Sequence, residues 1–154
     1  MSSITRGVRR MAFQALFQLE AHNGQGLDLI ARGLDEEHPT VPANDRALAM
    51  KLAQDAWANR FEADKIMAEL APTWPAHRQA AVDRAILRLA HFDMTKGSGK
   101  TKPKVVVNDS VEFAKEFSTE KSPGFVNALL DKVLKQVLGS AAGSEDAVEP
   151  RPPV

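Results

Sequence analysis

Cysteine and tyrosine are both absent from this chain. Without thiols there is no disulfide framework, no thiolate nucleophile and no cysteine-ligated structural zinc, and a reducing, cytoplasmic setting is expected. Lys+Arg and Asp+Glu balance at 20 each, so no global field draws the molecule onto nucleic acid or an anionic membrane. Any such affinity has to come from a local patch. No apolar run approaches the roughly 20 residues that span a bilayer, and no apolar leader follows the first basic residues. His22, His38, His77 and His91 show no metal-ligand spacing, and neither a Gly-x-Ser-x-Gly elbow nor a dinucleotide-type glycine fingerprint occurs. No catalytic residue, metal or cofactor is expected.

One stretch, Gly97-Ser98-Gly99-Lys100-Thr101, has the look of a phosphate-cradling loop. That chemistry needs a glycine five positions before the Gly-Lys-Thr, a strand leading in and a helix leading out. Met94 stands at the glycine position, the preceding segment reads as helix, and Pro103 follows closely. The stretch is therefore a basic, flexible connection between two helices.

Apolar residues recur at helical spacing throughout, which predicts an all-α chain of about seven helices. Ile4, Val8, Met11, Ala15 and Leu19 form one stripe of a first helix closed by Asn23-Gly24. A short second helix follows, then a long third with a break near Asn59 to Glu62. Thr73-Trp74-Pro75 marks the next start, with proline in the first turn, and Trp57 and Trp74 suit core or junction positions. Val82 to Met94 is apolar around most of its circumference, leaving Arg84, Arg88 and His91 as its polar stripe, so this helix should be central, with His91 at a surface or interface. Val105-Val106-Val107 could open a strand, but Val111 and Ala114 continue at helical spacing and favour helix. Ser122-Pro123 reads as an N-cap and first-turn proline of a last helix. From Gly139 onward the chain is small, acidic and proline-rich, and reads as a disordered tail over 139–154.

On the first helix, Arg6, Arg10, Phe13 and Phe17 share the side opposite the apolar stripe. Guanidinium groups on phosphates with rings under unstacked bases is how single-stranded nucleic acid is held. The competing reading buries both rings against another helix and leaves the arginines solvated.

"FQALFQLE", Trp74 ahead of "VDRAILRLAHFDM", and "KVVVNDSVEFAKEFSTEKSPGFVNALLDKVL" together resemble the NusB family of transcription antitermination factors. The resemblance runs from about Arg9 to Leu138. It implies two small helical bundles, about 1–72 and 73–138, packed at a steep angle in one domain. It also implies a non-enzymatic role: binding the single-stranded boxA element of nascent ribosomal RNA together with the ribosomal protein NusE, within an RNA polymerase antitermination complex that reads through terminators. A homodimer is compatible with the family, and no membrane is involved. By position, Arg6, Arg9, Arg10, Gln14 and Phe17 correspond to one half of the RNA surface, and Glu120, Lys121, Ser122, Gly124, Phe125 and Asn127 to the other. Asp83, Arg84, Arg88 and His91 fall near the NusE side.

The chain departs from that pattern in several places. Gly7 interrupts a short basic arm, Phe17 replaces the usual tyrosine, Gly124 stands where lysine is common, and Ala128 where glycine is common. Less charge on this face predicts weak RNA binding without NusE. Two alternatives stay open. One is the NusB-like accessory domain of an RNA cytosine methyltransferase, disfavoured because no methyl-donor site or catalytic cysteine follows and the start and acidic tail look complete. The other is a helical protein-interaction module that has lost RNA binding.

Overall fold

The computed structural model describes residues 4–97 and 101–139. The helices are α1 (Arg6–Ala21), α2 (Leu27–Glu37), α3 (Ala43–Ala58), α4 (Arg60–Leu70), α5 (Ala81–Lys96), α6 (Pro103–Phe117) and α7 (Ser122–Leu138), with a short 3-10 turn at Ala76–Arg78. Among the described residues there is no strand. The all-α expectation is met, and the three valines at 105–107 lie inside α6. The tail beyond Gly139 and most of the Gly/Ser connection, from Ser98 to Lys100, lie outside the described residues.

Local chemistry sets the boundaries. Thr5 caps α1 by accepting from the Val8 amide at 3.2 Å, satisfying one of the donors that a helix start leaves free. At the other end Asn23 and Gly24 both take positive φ, and the Gly24 amide returns to the Leu19 carbonyl at 2.7 Å, which stops the helix. Gly24 is also required by space, since a Cβ there would lie 2.8 Å from Trp57 Nε1. The expected break falls at Asn59, whose side-chain amide donates to the Asp55 carbonyl at 2.8 Å and separates α3 from α4.

The helix start placed at Thr73-Trp74-Pro75 is corrected. Pro75 precedes only the 3-10 turn, and α5 begins at Ala81. Side chains take the carbonyls that a continuous helix would use: Gln79 Nε2 donates to Trp74 O at 3.2 Å, and Arg84 Nη1 to Ala76 O at 2.8 Å. Trp74 itself is buried, edge-on to Phe125 with ring centroids 4.0 Å apart.

α5 is the central helix. It packs on α1 and α3 on one side and on α6 and α7 on the other, with α4 also against it. One apolar cluster runs through all of these, including Leu16, Ile86, Leu87, Val106 and Leu129. Full burial of each such side chain contributes about 1.5–3 kcal/mol.

α1 is covered by α3 and, less extensively, by α5, α2 and α6. Its buried arc runs from Met11 through Leu16 and Arg9 to Phe13, roughly 200° of the circumference at 100° per residue. Only the sector carrying Arg6, Arg10, Gln14 and Phe17 reaches solvent to any extent.

Candidate nucleic-acid interface

Three rings form the floor of this sector. Phe13 lies parallel to Phe113, with centroids 5.8 Å apart and 10° between the planes, and it touches Phe117 at 5.2 Å. Phe13 is buried under α6, as the competing reading of this face has it for that ring. Phe17, one turn further along, is 36% exposed. Phe13, Phe17 and Phe117, with Gln14, Val82 and Glu37, line a groove of about 320 Å³. The Gln14 side-chain oxygen is buried and has no hydrogen-bond partner among the described residues.

The cations of the arm have different fates. Arg9, assigned to the RNA surface by sequence, is 2% exposed. Its Nε donates to Asp93 at 2.6 Å and its Nη1 to Asp109 at 3.1 Å, tying α1 to α5 and α6 in the interior. Arg9 is a structural cation, and no phosphate can reach it. Arg6 donates to the same Asp109 at 2.8 Å, but its side chain remains 60% exposed. Arg10 forms a two-pronged pair with Glu116, with Nε 3.2 Å from Oε1. Its guanidinium also lies over the Phe117 ring, 5.1 Å from the centroid.

The second half of the expected surface is the α6–α7 connection. Asp83, near the start of α5, accepts from Ser118 Oγ at 2.6 Å and from Ser122 Oγ at 3.0 Å, and Thr119 adjoins Ser122 at 2.9 Å. This buried carboxylate fixes the loop beside Val82 and Phe117. Asp83 is therefore a positioning residue, and its placement on a partner surface is corrected. Ser122 is fully buried with its hydroxyl on Asp83, so it serves neither as a side-chain helix cap nor as an RNA contact. Phe125 is corrected likewise, being buried against Trp74. Glu120, Lys121, Gly124 and Asn127 are exposed, while the first turn of α7 is largely satisfied, the Ser122 amide donating to the Thr119 carbonyl at 3.1 Å and the Phe125 amide to the Lys121 carbonyl at 3.4 Å.

Of the remaining residues placed near a partner, Arg84 and Arg88 line a second groove of about 670 Å³, and His91 lies outside it. Arg88 is 9% exposed and grips Asp64 through two bonds of 2.9 and 2.7 Å. His91 is 4% exposed, against the expectation of a surface histidine. Arg84 pairs with Glu20 and keeps a 20% exposed side chain on the groove wall. Along the rim, Arg60 lies 3.8 Å over Trp57 and 4.3 Å over Phe61, and Phe61 is 70% exposed. Among the described residues no group of His, Asp and Glu could hold a metal ion, and no helix is long and apolar enough to cross a membrane.

Burial lowers the His91 pKa from its ordinary 6.5. The folded state then binds a proton less readily than the unfolded chain, so the favourable contribution is complete above pH 6.5 and falls as the pH drops below that value. Urea midpoints are expected to decline for the natural chain between pH 7.5 and 5.5. That decline should be shallower in His91→Gln, and equal slopes in the two would contradict the assignment.

The NusB family model matches residues 6–135. This chain belongs to the NusB family. It is 36% identical over 137 residues to the transcription antitermination protein NusB of Roseiflexus sp. strain RS-1, covering 88% of this chain and 95% of the relative. Among solved structures, T. maritima NusB superposes with a TM-score of 0.75 at 28% identity, covering 88% of this chain and 94% of that one. A chain from a complex of the antitermination factors NusB and NusE with double-stranded RNA superposes with a TM-score of 0.73 at 26% identity, covering 85% and 96%.

Sequence reasoning missed Glu116 and Phe117, which hold the Arg10 guanidinium beside the groove. The signal was present, because Phe117 lies one turn beyond Phe113 and Glu116 continues the Asp109, Glu112 stripe at i, i+3, i+7. The partner of that stripe, α1, lies about a hundred residues away in the chain and could not be read locally.

Proposed function

We propose that this chain is the RNA-binding adaptor of transcription antitermination, acting on single-stranded boxA of nascent ribosomal RNA with NusE and promoting read-through by RNA polymerase. The observation that carries the reading is the groove beside α1, lined by exposed Phe17 with Gln14 and Phe117, with the Arg10 guanidinium over the Phe117 ring. Rings accept stacked bases, and Arg10 and Lys121 receive phosphates. The reading assigns no catalysis. NusE is placed at the second groove, with Arg84 on its wall and Phe61 as the apolar anchor.

Anisotropy of a labelled boxA-like strand, titrated with and without NusE, tests this. We expect weak binding by the chain alone and tight binding with NusE, with a slope of log K against log salt of about −2 if Arg6, Arg10 and Lys121 each meet a phosphate. Phe61→Asp should weaken NusE capture by about tenfold or more. Tight, salt-insensitive binding by the chain alone would overturn the reading. NusE capture without RNA binding would favour a protein-interaction module, a role that the paired state of Arg6 and Arg10 suits.

A further inference from the structure

We propose that Glu116 is a built-in competitor for RNA phosphate, occupying Arg10 until a phosphate displaces it and so setting how tightly this face takes RNA. The inference rests on the RNA-binding reading above and goes beyond it by naming a residue that opposes binding.

The acids Asp109, Glu112 and Glu116 form one stripe of α6, and two of them hold the cations of α1. They are not equivalent. Asp109 is buried and shared between Arg6 and Arg9, so it belongs to the interior. Glu112 pairs with Lys115 on its own helix at 3.1 Å. Glu116 is 47% exposed in its side chain, Arg10 is 35% exposed, and each is the other's ion-pair partner.

The geometry is that of a guanidinium gripping an oxyanion through two nitrogens, with Nε 3.2 Å from Oε1 and Nη2 on Oε2. A phosphate presents the same two-oxygen edge to the same fork. Phe117 holds the guanidinium plane from beneath at 5.1 Å, so Arg10 keeps its place when the anion is exchanged. Arg10 holds the Glu116 carboxyl below its usual range, chiefly through that hydrogen bond. An exposed pair of this kind is a weak restraint in water, which is what a displaceable anion has to be.

The test uses the full chain with NusE and the labelled boxA-like strand, comparing the natural chain, Glu116→Gln, Arg10→Gln and the double variant. Glu116→Gln is expected to bind about three- to fivefold more tightly, the scale of a lost exposed ion pair. In the Arg10→Gln background the same change should bring no gain. A carbon-13 titration of the Glu116 carboxyl adds a direct readout, moving up toward the ordinary glutamate range when RNA saturates the protein.

Equal affinity of the natural chain and Glu116→Gln overturns the inference, as does a gain that persists without Arg10, which would reflect net charge alone. If no variant binds RNA while NusE is still captured, the RNA-binding reading falls and this inference falls with it. If the natural chain binds and only the Glu116 effect is missing, the inference alone is lost.

Discussion

Replacing Arg9 by methionine is expected to cost about 3–5 kcal/mol of stability, the scale of stranding buried charges by removing their partner. Asp93 and Asp109 are 3% and 4% exposed in their side chains; Asp93 pairs with this guanidinium, and Asp109 shares it with Arg6. Methionine fills similar volume but leaves the buried Asp93 carboxylate without this cation and Asp109 with Arg6 alone. Lysine should not rescue the loss, because one ammonium does not reproduce the fork that reaches both acids at once. Arg10→Met, which removes only a partly exposed pair, should cost no more than about 1 kcal/mol. Urea denaturation followed by circular dichroism measures all three. Adding Asp93→Asn to Arg9→Met should restore part of the loss, although the same change destabilises the natural chain, the signature of two coupled sites. A loss at Arg9 as small as that at Arg10 would show that the buried network does not hold α1 to α5 and α6.

The second large effect is on binding. Phe17→Ala is expected to weaken RNA binding by about 5- to 150-fold in the presence of NusE, corresponding to about 1–3 kcal/mol for one stacked base. Phe17→Tyr should retain it, since the ring is kept. Arg10→Glu should weaken binding as well, by repelling the phosphate that the natural residue would receive. All three variants should capture NusE as the natural chain does, because Phe17 and Arg10 lie outside the second groove. Their stability should change by no more than about 1 kcal/mol for such partly exposed positions. Unchanged affinity in Phe17→Ala would remove the groove from the RNA surface, whatever the chain does with NusE.

How far these features were legible in the sequence depends on the distance over which each is determined. The stop at Asn23-Gly24, the break at Asn59 and the helical nature of the Val105–Val107 segment are set by residues within a few positions, and each was readable. The central place of α5 followed from its apolar circumference. The three arginines of the arm look alike in sequence, yet one is interior and two are at the surface. What separates them is the identity of the partner at 84 to 106 positions away. The same limit explains Phe13, Ser122 and Phe125. Each has a residue type suited to RNA contact, and each is claimed by a buried neighbour that only the tertiary fold supplies. Asp83 illustrates the converse, a charged residue on a helix that sequence places outside and that the fold uses to pin the α6–α7 connection.

The most direct test is an amide NMR footprint of the boxA-like strand on the labelled chain saturated with unlabelled NusE. The predicted footprint covers Arg10, Gln14 and Phe17 of α1 together with Lys121, Gly124 and Asn127 at the start of α7, and leaves Phe61 as NusE alone leaves it. A footprint on Arg60 and Phe61 with α1 undisturbed would contradict the account.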